Sequence, residues 1–570
     1  MGNKTKKAAA RKAEEAGTGG PRIGVFVCNC GTNIAGFLDT KSIAEYSGGL
    51  PNVVFVRENL YSCSEAGVND IRRAIVDNNL DRVVVAACTP RTHEPTFRAV
   101  CAEAGLNPYY FEFVNIREHV SWVHKEDRET GTRKAKDLIR MGVARAAYLE
   151  AMEPIEGEVN RRALVVGGGV SGMTTALELA SRGFEVVLVE KSAALGGLLQ
   201  GVHEIYPWKE IASKYVKATA ASVTAEPRIE VLTSTEVTDV KGYIGNYQVH
   251  LSGRDKPVVA GVIVVATGAA PLDPQGLYGH DSDKVVTLFE AESLLGKAGY
   301  ARKHVVMIAC AGARIPERSY CSRVCCTMAI KDAILMRKRW KAEVTLLYRD
   351  LMCYGVGSEA LLAQAKKAGV RFVNYSPARP PEVSDGKVRV TAEILGRDME
   401  IPCDLAVLAT PLVPRDTNEA LSRILKVPVD EHGFFLEAHV KLRPLDFATD
   451  GIFVCGTARW PATVTECMEQ AVGAAARAST YLASGRVTVE PIVSVVDEDE
   501  CRGCGLCAAL CPYGALEIVE TEAGRKARTI EVACKGCGTC GATCYRGAIT
   551  MKHYSNKQMV AQIRAAFEEE

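Results

Sequence analysis

The chain has 570 residues, 47% hydrophobic and 24% charged, with a formal net charge of +1. That length is too great for one core and implies about three or four domains; the balanced charge excludes bulk electrostatic capture of nucleic acid or a membrane. Twenty-one cysteines without a secretory signal exclude a disulfide scaffold and point to a reducing, cytoplasmic setting in which thiolates stay free to ligate metal.

Residues 1–21 carry Lys4, Lys6, Lys7, Arg11 and Lys12 but no apolar h-region, and read as a disordered basic tail. No later apolar run approaches the roughly 20 residues a membrane helix needs. Residues 22–150 alternate apolar strands, among them IGVFVC and DRVVVAAC, with helical stretches, the pattern of an α/β domain with buried parallel strands. Residues 128–152 read as a mildly basic helix leading to the next domain. Cys28 and Cys30 follow the first strand, Cys63 follows VVFVRENLYS, and Cys88 closes a strand before Thr89 and Pro90. Ligands collect at the carboxyl ends of strands in open parallel sheets, so these four thiols could hold a 4Fe-4S cluster; buried inert cysteine is the alternative. Cys101, in a helical stretch without partners, reads as packing.

Residues 160–300 and 435–485 read as one FAD-binding domain. RALVVGGGVSGMTTALELASRGFEVVLVE is strand, glycine turn, helix and a second strand ending in an acid. Gly167 makes the tight turn, Gly169 admits a pyrophosphate, Gly172 lets helix pack on strand, and Glu190 is placed for a ribose hydroxyl. FAD is preferred to NAD because three further pieces follow in order. They are Gly196 and Gly197 after the acid, then Ala266, Thr267 and Gly268 closing a later strand, then Gly456 in GIFVCGTA. The helix MEQAVGAAARA after the last piece can aim its amino terminus at the flavin ring.

Residues 301–434 stand where a nicotinamide domain with its own glycine fingerprint belongs. The strand HVVMIAC arrives on schedule but runs into CAGAR, and Cys310, Cys321, Cys325 and Cys326 replace the fingerprint. This degenerate NAD-type domain reads as another 4Fe-4S site, against a vicinal disulfide or a dithiol that exchanges with substrate. Electrons then reach the flavin through metal and not as hydride. Lys331, on the helix TMAIKDAILMRKR, could stabilise a negatively charged reduced flavin, but its spacing favours a solvated helix face. Cys353, Cys403, Cys455 and Cys467 read as packing.

Residues 490–552 hold two copies of C-x-x-C-x-x-C-x-x-x-C, the ligation pattern of two-cluster bacterial ferredoxins. The fourth cysteine of each run crosses to the other cube. This predicts Cys501, Cys504, Cys507 and Cys544 on one cluster, and Cys534, Cys537, Cys540 and Cys511 on the other. Pro512 follows the first run, and Tyr545 takes its place after the second. Structural zinc and disulfides are the weaker alternatives. Residues 553–570 read as a closing helix, and the four quartets predict four cubes.

CNCGTNIAG, CTPRTHEPTFR, VGGGVSGM, CAGAR followed by YCSRVCCTMAIK, and LLYRDLMCYG together resemble the A subunit of heterodisulfide reductases over residues 22–547. The resemblance implies an α/β fold: a thioredoxin-reductase-like flavoprotein with two dinucleotide-binding domains, an N-terminal α/β domain and a C-terminal α+β bacterial ferredoxin domain. It supports the clusters proposed at Cys28, Cys30, Cys63 and Cys88 and at Cys310, Cys321, Cys325 and Cys326, and it places Lys331 beside the flavin. It further implies B-like and C-like subunits, an electron-input subunit (hydrogenase, formate dehydrogenase or an NADH-linked module), ferredoxin as a partner, and a homodimer within a larger complex. Some family members split an electron pair between ferredoxin and a disulfide or related acceptor. Methanogen versions carry an extra ferredoxin module in the FAD domain, whereas here no cysteine lies between Leu198 and Ala309. The competing expectations are an NAD(P)H-dependent flavin reductase with a fused ferredoxin, and a relay subunit that does not bifurcate.

Overall fold

A computed structural model describes residues 20–280, 283–355 and 357–568. Most of the expected basic tail, residues 1–19, therefore lies outside the described residues. The first domain is a four-stranded parallel sheet of β1 (Ile23–Cys28), β2 (Val53–Asn59), β3 (Arg82–Ala87) and β4 (Phe111–Asn115), in the order β2-β1-β3-β4. β1 is buried along its whole length, which is why it reads as an uninterrupted apolar run and not an alternating one. Around the sheet run α1 (Thr40–Gly48), α2 (Glu65–Asp77), α3 (Pro90–Glu103) and α4 (Arg128–Ala146). α4 ends six residues before the boundary expected at 152, where Leu149 turns into the core.

Two halves of like design follow. The first has a parallel sheet of β5 (Arg162–Val166), β6 (Glu185–Val189) and β7 (Ile229–Leu232) with α5 (Val170–Ser181) after β5. An antiparallel meander, β8 (Val237–Tyr243), β9 (Asn246–Leu251) and β10 (Val258–Ala260), leads back to β11 (Val262–Val265). The second half starts with β12 (Val285–Thr287) and α6 (Leu288–Leu295), then β13 (His304–Ala309), α7 (Cys325–Arg339), β14 (Glu343–Tyr348) and β15 (Arg371–Asn374). Its own meander is β16 (Glu382–Ser384), β17 (Lys387–Ala392) and β18 (Arg397–Pro402), before β19 (Leu405–Ala409) completes the parallel order β12-β19-β13-β14-β15. β20 (Ile452–Val454) then returns to the first sheet beside β11, giving β7-β6-β5-β11-β20, and α8 (Val464–Ser484) packs against α5. Strand order reverses at β5, so a crevice opens at its carboxyl end, where such sheets take their ligands.

The last segment pairs β21 (Ser494–Val496) with a distant strand across two short helices. In chain order these are α9 (Leu506–Leu510), the hairpin β22 (Leu516–Thr521) and β23 (Gly524–Thr529), α10 (Thr539–Thr543), and β24 (Ile549–Met551), which lies antiparallel to β21. The closing helix α11 (Asn556–Ala566) lies on α4. Among the described residues, 20–155 and 488–568 form one compact unit and those between 156 and 487 another. Within the first unit, Arg140 Nε donates to Ala565 O at 2.7 Å, Arg145 Nη2 to His553 O at 2.6 Å, and Gln558 Nε2 to Tyr148 O at 2.9 Å. Arg145 also pairs with buried Glu112. Among the described residues no helix is long and apolar enough to cross a membrane.

Candidate functional site

A cavity of about 350 Å³ occupies the crevice after β5. Gly167, Gly169, Glu190, Gly196 and Gly197 line it from one side, and Ala266, Thr267 and Gly268 from the other. Gly172 is not in the wall: it sits inside α5, where a Cβ would overlap the carbonyl oxygen of Gly167, so the helix could not reach the strand. Gly456 lies behind the wall, against Ser171. Glu190 is fixed in advance, its two oxygens accepting from Gly168 N at 2.6 Å and Ser192 N at 2.7 Å. Thr267 Oγ1 is buried in the wall without a partner among the described residues, as expected of a group that meets a polar ligand. The helix α8 presents its first turn to the same cavity through Thr463 and Val464, capped reciprocally by Thr463 and Glu466. An elongated dinucleotide with a flavin at this end fits that donor set.

Lys331 lines the same cavity and corrects the expectation of a solvated helix face: only 5% of it is exposed. Its ammonium donates to Glu292, to Glu204 O at 2.8 Å, and lies 3.1 Å from Asp332 Oδ1. Burial alone would lower the Lys331 pKa, but the carboxylates of Asp332 and Glu292 outweigh it and hold it above the usual lysine value. Burial drives Asp332 well above the ordinary carboxylate range. The cavity therefore has a fixed cation held by buried carboxyl groups.

The middle quartet gathers at the carboxyl end of β13. Cys310 takes a left-handed conformation directly after the strand, and Cys325 and Cys326 open α7. The Cys325 thiol hydrogen-bonds to Cys326, which lowers Cys326 and raises Cys325, and Cys326 Sγ lies 3.8 Å from Asp350 O. Arg323 N donates to Cys321 Sγ at 3.4 Å, and Cys310 feels Cys326 and Cys321 as well as Arg314 and Arg349. Val324 from this loop, with Thr327 and Met328 from α7, forms part of the flavin-site wall. Cys353, expected as packing, packs against the domain core, and its thiol is pushed up to about 11 by burial and by the nearby Cys326.

The N-terminal quartet converges as the strand ends suggest. Cys28 closes β1, Cys63 stands just before the N-cap Ser64 of α2, and Cys88 just before the N-cap Thr89 of α3. Two helix dipoles thus point their positive ends at the thiols. Cys88 is pushed up to about 11 by burial, with Arg117 acting against this and Cys63, Cys28 and Cys30 acting with it. Ser62 N donates to Cys28 Sγ at 3.3 Å.

In the last segment, one small cavity is walled by Cys501, Cys504, Cys507 and Cys544, and a second by Cys511, Cys534, Cys537 and Cys540. The chain is turned around them by repeated glycines: a Cβ at Gly503 would strike Arg525 O and one at Gly536 would strike Ile492 O. Ala527 N donates to Cys501 Sγ and Ala515 N to Cys511 Sγ, each at 3.3 Å, and Ser494 N to Cys534 Sγ at 3.4 Å. Such N–H···S bonds are among the levers that set cluster potentials. All twenty-one cysteines are free thiols. Among the described residues no three His, Cys, Asp or Glu side chains converge on one ion.

Residues 161–475 match the family of pyridine nucleotide-disulphide oxidoreductases, and residues 494–517 match a 4Fe-4S binding domain. One of two iron-sulfur A subunits of the CoB--CoM heterodisulfide reductase of Methanopyrus kandleri is 39% identical over 647 aligned positions, covering 96% of this chain and 99% of that relative. The chain belongs to the family of heterodisulfide reductase A subunits. Another relative, the A subunit of the H(2):CoB-CoM heterodisulfide,ferredoxin reductase of Methanothermobacter thermautotrophicus, is 37% identical over 96% of this chain and 98% of its own. Both alignments run over more positions than this chain has residues, so both relatives carry residues in the aligned span that it lacks. Among solved structures, the thioredoxin reductase of T. acidophilum aligns over 57% of this chain and 99% of its own, with 19% identity and a TM-score of 0.41.

As a heterodisulfide reductase A subunit, the chain is an oxidoreductase component for electron transfer, with an FAD-type oxidoreductase domain built from two like halves and a 4Fe-4S ferredoxin-type domain. Sequence reasoning did not find Glu292, Asp332, Arg117 or Arg323. Asp332 and Arg323 stood beside residues already singled out; Glu292 gave no signal, because only folding brings α6 to α7.

Proposed function

We propose that this protein takes electrons at an FAD held in the crevice after β5 and distributes them over four 4Fe-4S clusters ligated by the four cysteine quartets. FAD supplies the conversion between electron pairs and single electrons, and the protein supplies position and charge. The observation that carries this reading is the cysteine loop 321–326, which contributes Val324 to the flavin-site wall where a nicotinamide fingerprint would otherwise stand. Lys331 offers a positive charge to the reduced cofactor. The whole-chain likeness to a component of a heterodisulfide,ferredoxin reductase supports bifurcation or confurcation between a two-electron donor, ferredoxin and a disulfide or related acceptor, in a complex with B-like and C-like subunits. The extra residues of those relatives favour, as a second reading, a relay that passes electrons without splitting pairs. Anaerobically purified protein should contain about sixteen irons per FAD, four for each cube. A value near eight removes the two clusters outside the ferredoxin-type segment. The purified complex with its co-eluting subunits should reduce ferredoxin only while the second acceptor is present; ferredoxin reduction independent of that acceptor selects the relay.

A further inference from the structure

The loop between Cys321 and Cys325 is tied to the flavin-facing end of α8 by one side chain. Arg323 sits at φ +63°, a strained setting for a residue other than glycine, and from there its side chain leaves the cysteine loop. Its Nη2 donates to Glu466 Oε1 at 2.6 Å and its Nη1 to Pro461 O at 3.3 Å. The guanidinium lies 5.0 Å from the centre of the Tyr354 ring and 5.8 Å from that of Trp460. Glu466 divides its carboxylate: Oε1 holds Arg323, while Oε2 accepts from Thr463 N at 2.8 Å and Thr463 Oγ1 at 3.1 Å to close the cap of α8. Thr463 and Val464 then face the flavin cavity. At its other end, the Arg323 backbone N–H donates to Cys321 Sγ.

We propose that Arg323 is a positioning residue that fixes the spacing between the middle cluster and the flavin, by clamping the cysteine loop to the cap of α8. The proposal rests on the reading of the 310–326 quartet as a cluster site. A planar guanidinium can hold a carboxylate, a carbonyl and two ring faces at once, and a lysine ammonium cannot. Electron tunnelling falls off exponentially with distance, so a clamp between donor and acceptor sets its rate without touching either.

The test uses the full chain with Arg323→Lys, Arg323→Gln and Glu466→Gln. Hydrogen exchange of the amides of residues 462–467, read in cofactor-free protein, should quicken about tenfold in all three, equivalent to losing about 1.4 kcal/mol from a charge-assisted contact. Glutamine can still close the cap, so Glu466→Gln separates loss of the clamp from loss of the cap. In reconstituted protein, an EPR-monitored titration should find the middle cluster's midpoint potential retained in Arg323→Lys, while rapid-freeze EPR should show slower arrival of electrons at that cluster in Arg323→Lys and Arg323→Gln. Unchanged exchange in Arg323→Lys and Glu466→Gln overturns the clamp, as does a wild-type electron-arrival rate in Arg323→Lys. Absence of any EPR signal from the middle site in wild type would instead defeat the cluster reading and leave the exchange result to decide on the clamp.

Discussion

Replacing Lys331 by methionine tests the triad at the flavin site most directly. In the folded chain one ammonium faces two carboxyl groups, all three buried, and burial raises the pKa of Asp332. Without Lys331, the remaining charge on Glu292 has no counter-ion, and its least costly response is to take up a proton. Protonating an ordinary glutamate at pH 7 costs about 3.7 kcal/mol, in line with the roughly 3–5 kcal/mol lost when one partner of a buried pair is removed. The melting temperature of unit 156–487 in the full chain should fall by about 5 °C at pH 7. The difference from wild type should shrink by about 1.4 kcal/mol for each pH unit of acidification, since the proton becomes easier to supply. Lys331→Met with Glu292→Gln should recover most of the loss, because the amide can still accept from His203 N. Differential scanning calorimetry between pH 5 and 7.5 reads all three. A loss under about 1 kcal/mol that does not change with pH would refute the account of the triad.

The crossed ladders predict that Cys511→Ser weakens the cluster of the second run and Cys544→Ser that of the first, as read by EPR of the reduced protein; the opposite pairing would overturn the assignment. Gly172→Ala should weaken FAD retention by about five- to 150-fold, because overpacking the helix against Gly167 costs about 1–3 kcal/mol, and ultrafiltration of the reconstituted protein measures it. His553 is buried and held down to about 3 by that burial. Between about 3 and the ordinary 6.5 the unfolded chain binds the extra proton, so this group's contribution is complete above pH 6.5 and is lost as pH falls through that window. Hydrogen exchange of α11 should therefore quicken in acid in wild type more than in His553→Gln; equal slopes would exclude the histidine.

Much of this molecule was legible because its chemistry is written in local spacing. The glycine unit from Gly167 to Glu190 and both ladders specify their own backbone turns, so the cavities they line follow from a few residues in sequence. The N-terminal quartet was legible only through topology: Cys28, Cys63 and Cys88 are far apart in the chain and meet because parallel strands end together. Lys331 was misread because spacing alone took its helix to have a solvated side. In fact α7 is buried from Cys325 to Met336 apart from Met328, and TMAIKDAILM, apolar nearly all round, already carried that signal. Glu292 and Glu466 reach their partners across folds of the chain that no local pattern encodes.

The interleaving of the two final cysteine runs also bears on how the molecule is made. Cys544 closes the wall begun by Cys501, so that wall does not exist until synthesis has passed both runs. If the proposed crossed ligation holds, iron delivered to the first run alone, as it leaves the ribosome, would meet three thiols and a gap, and maturation of this end would be a single late event rather than two successive ones.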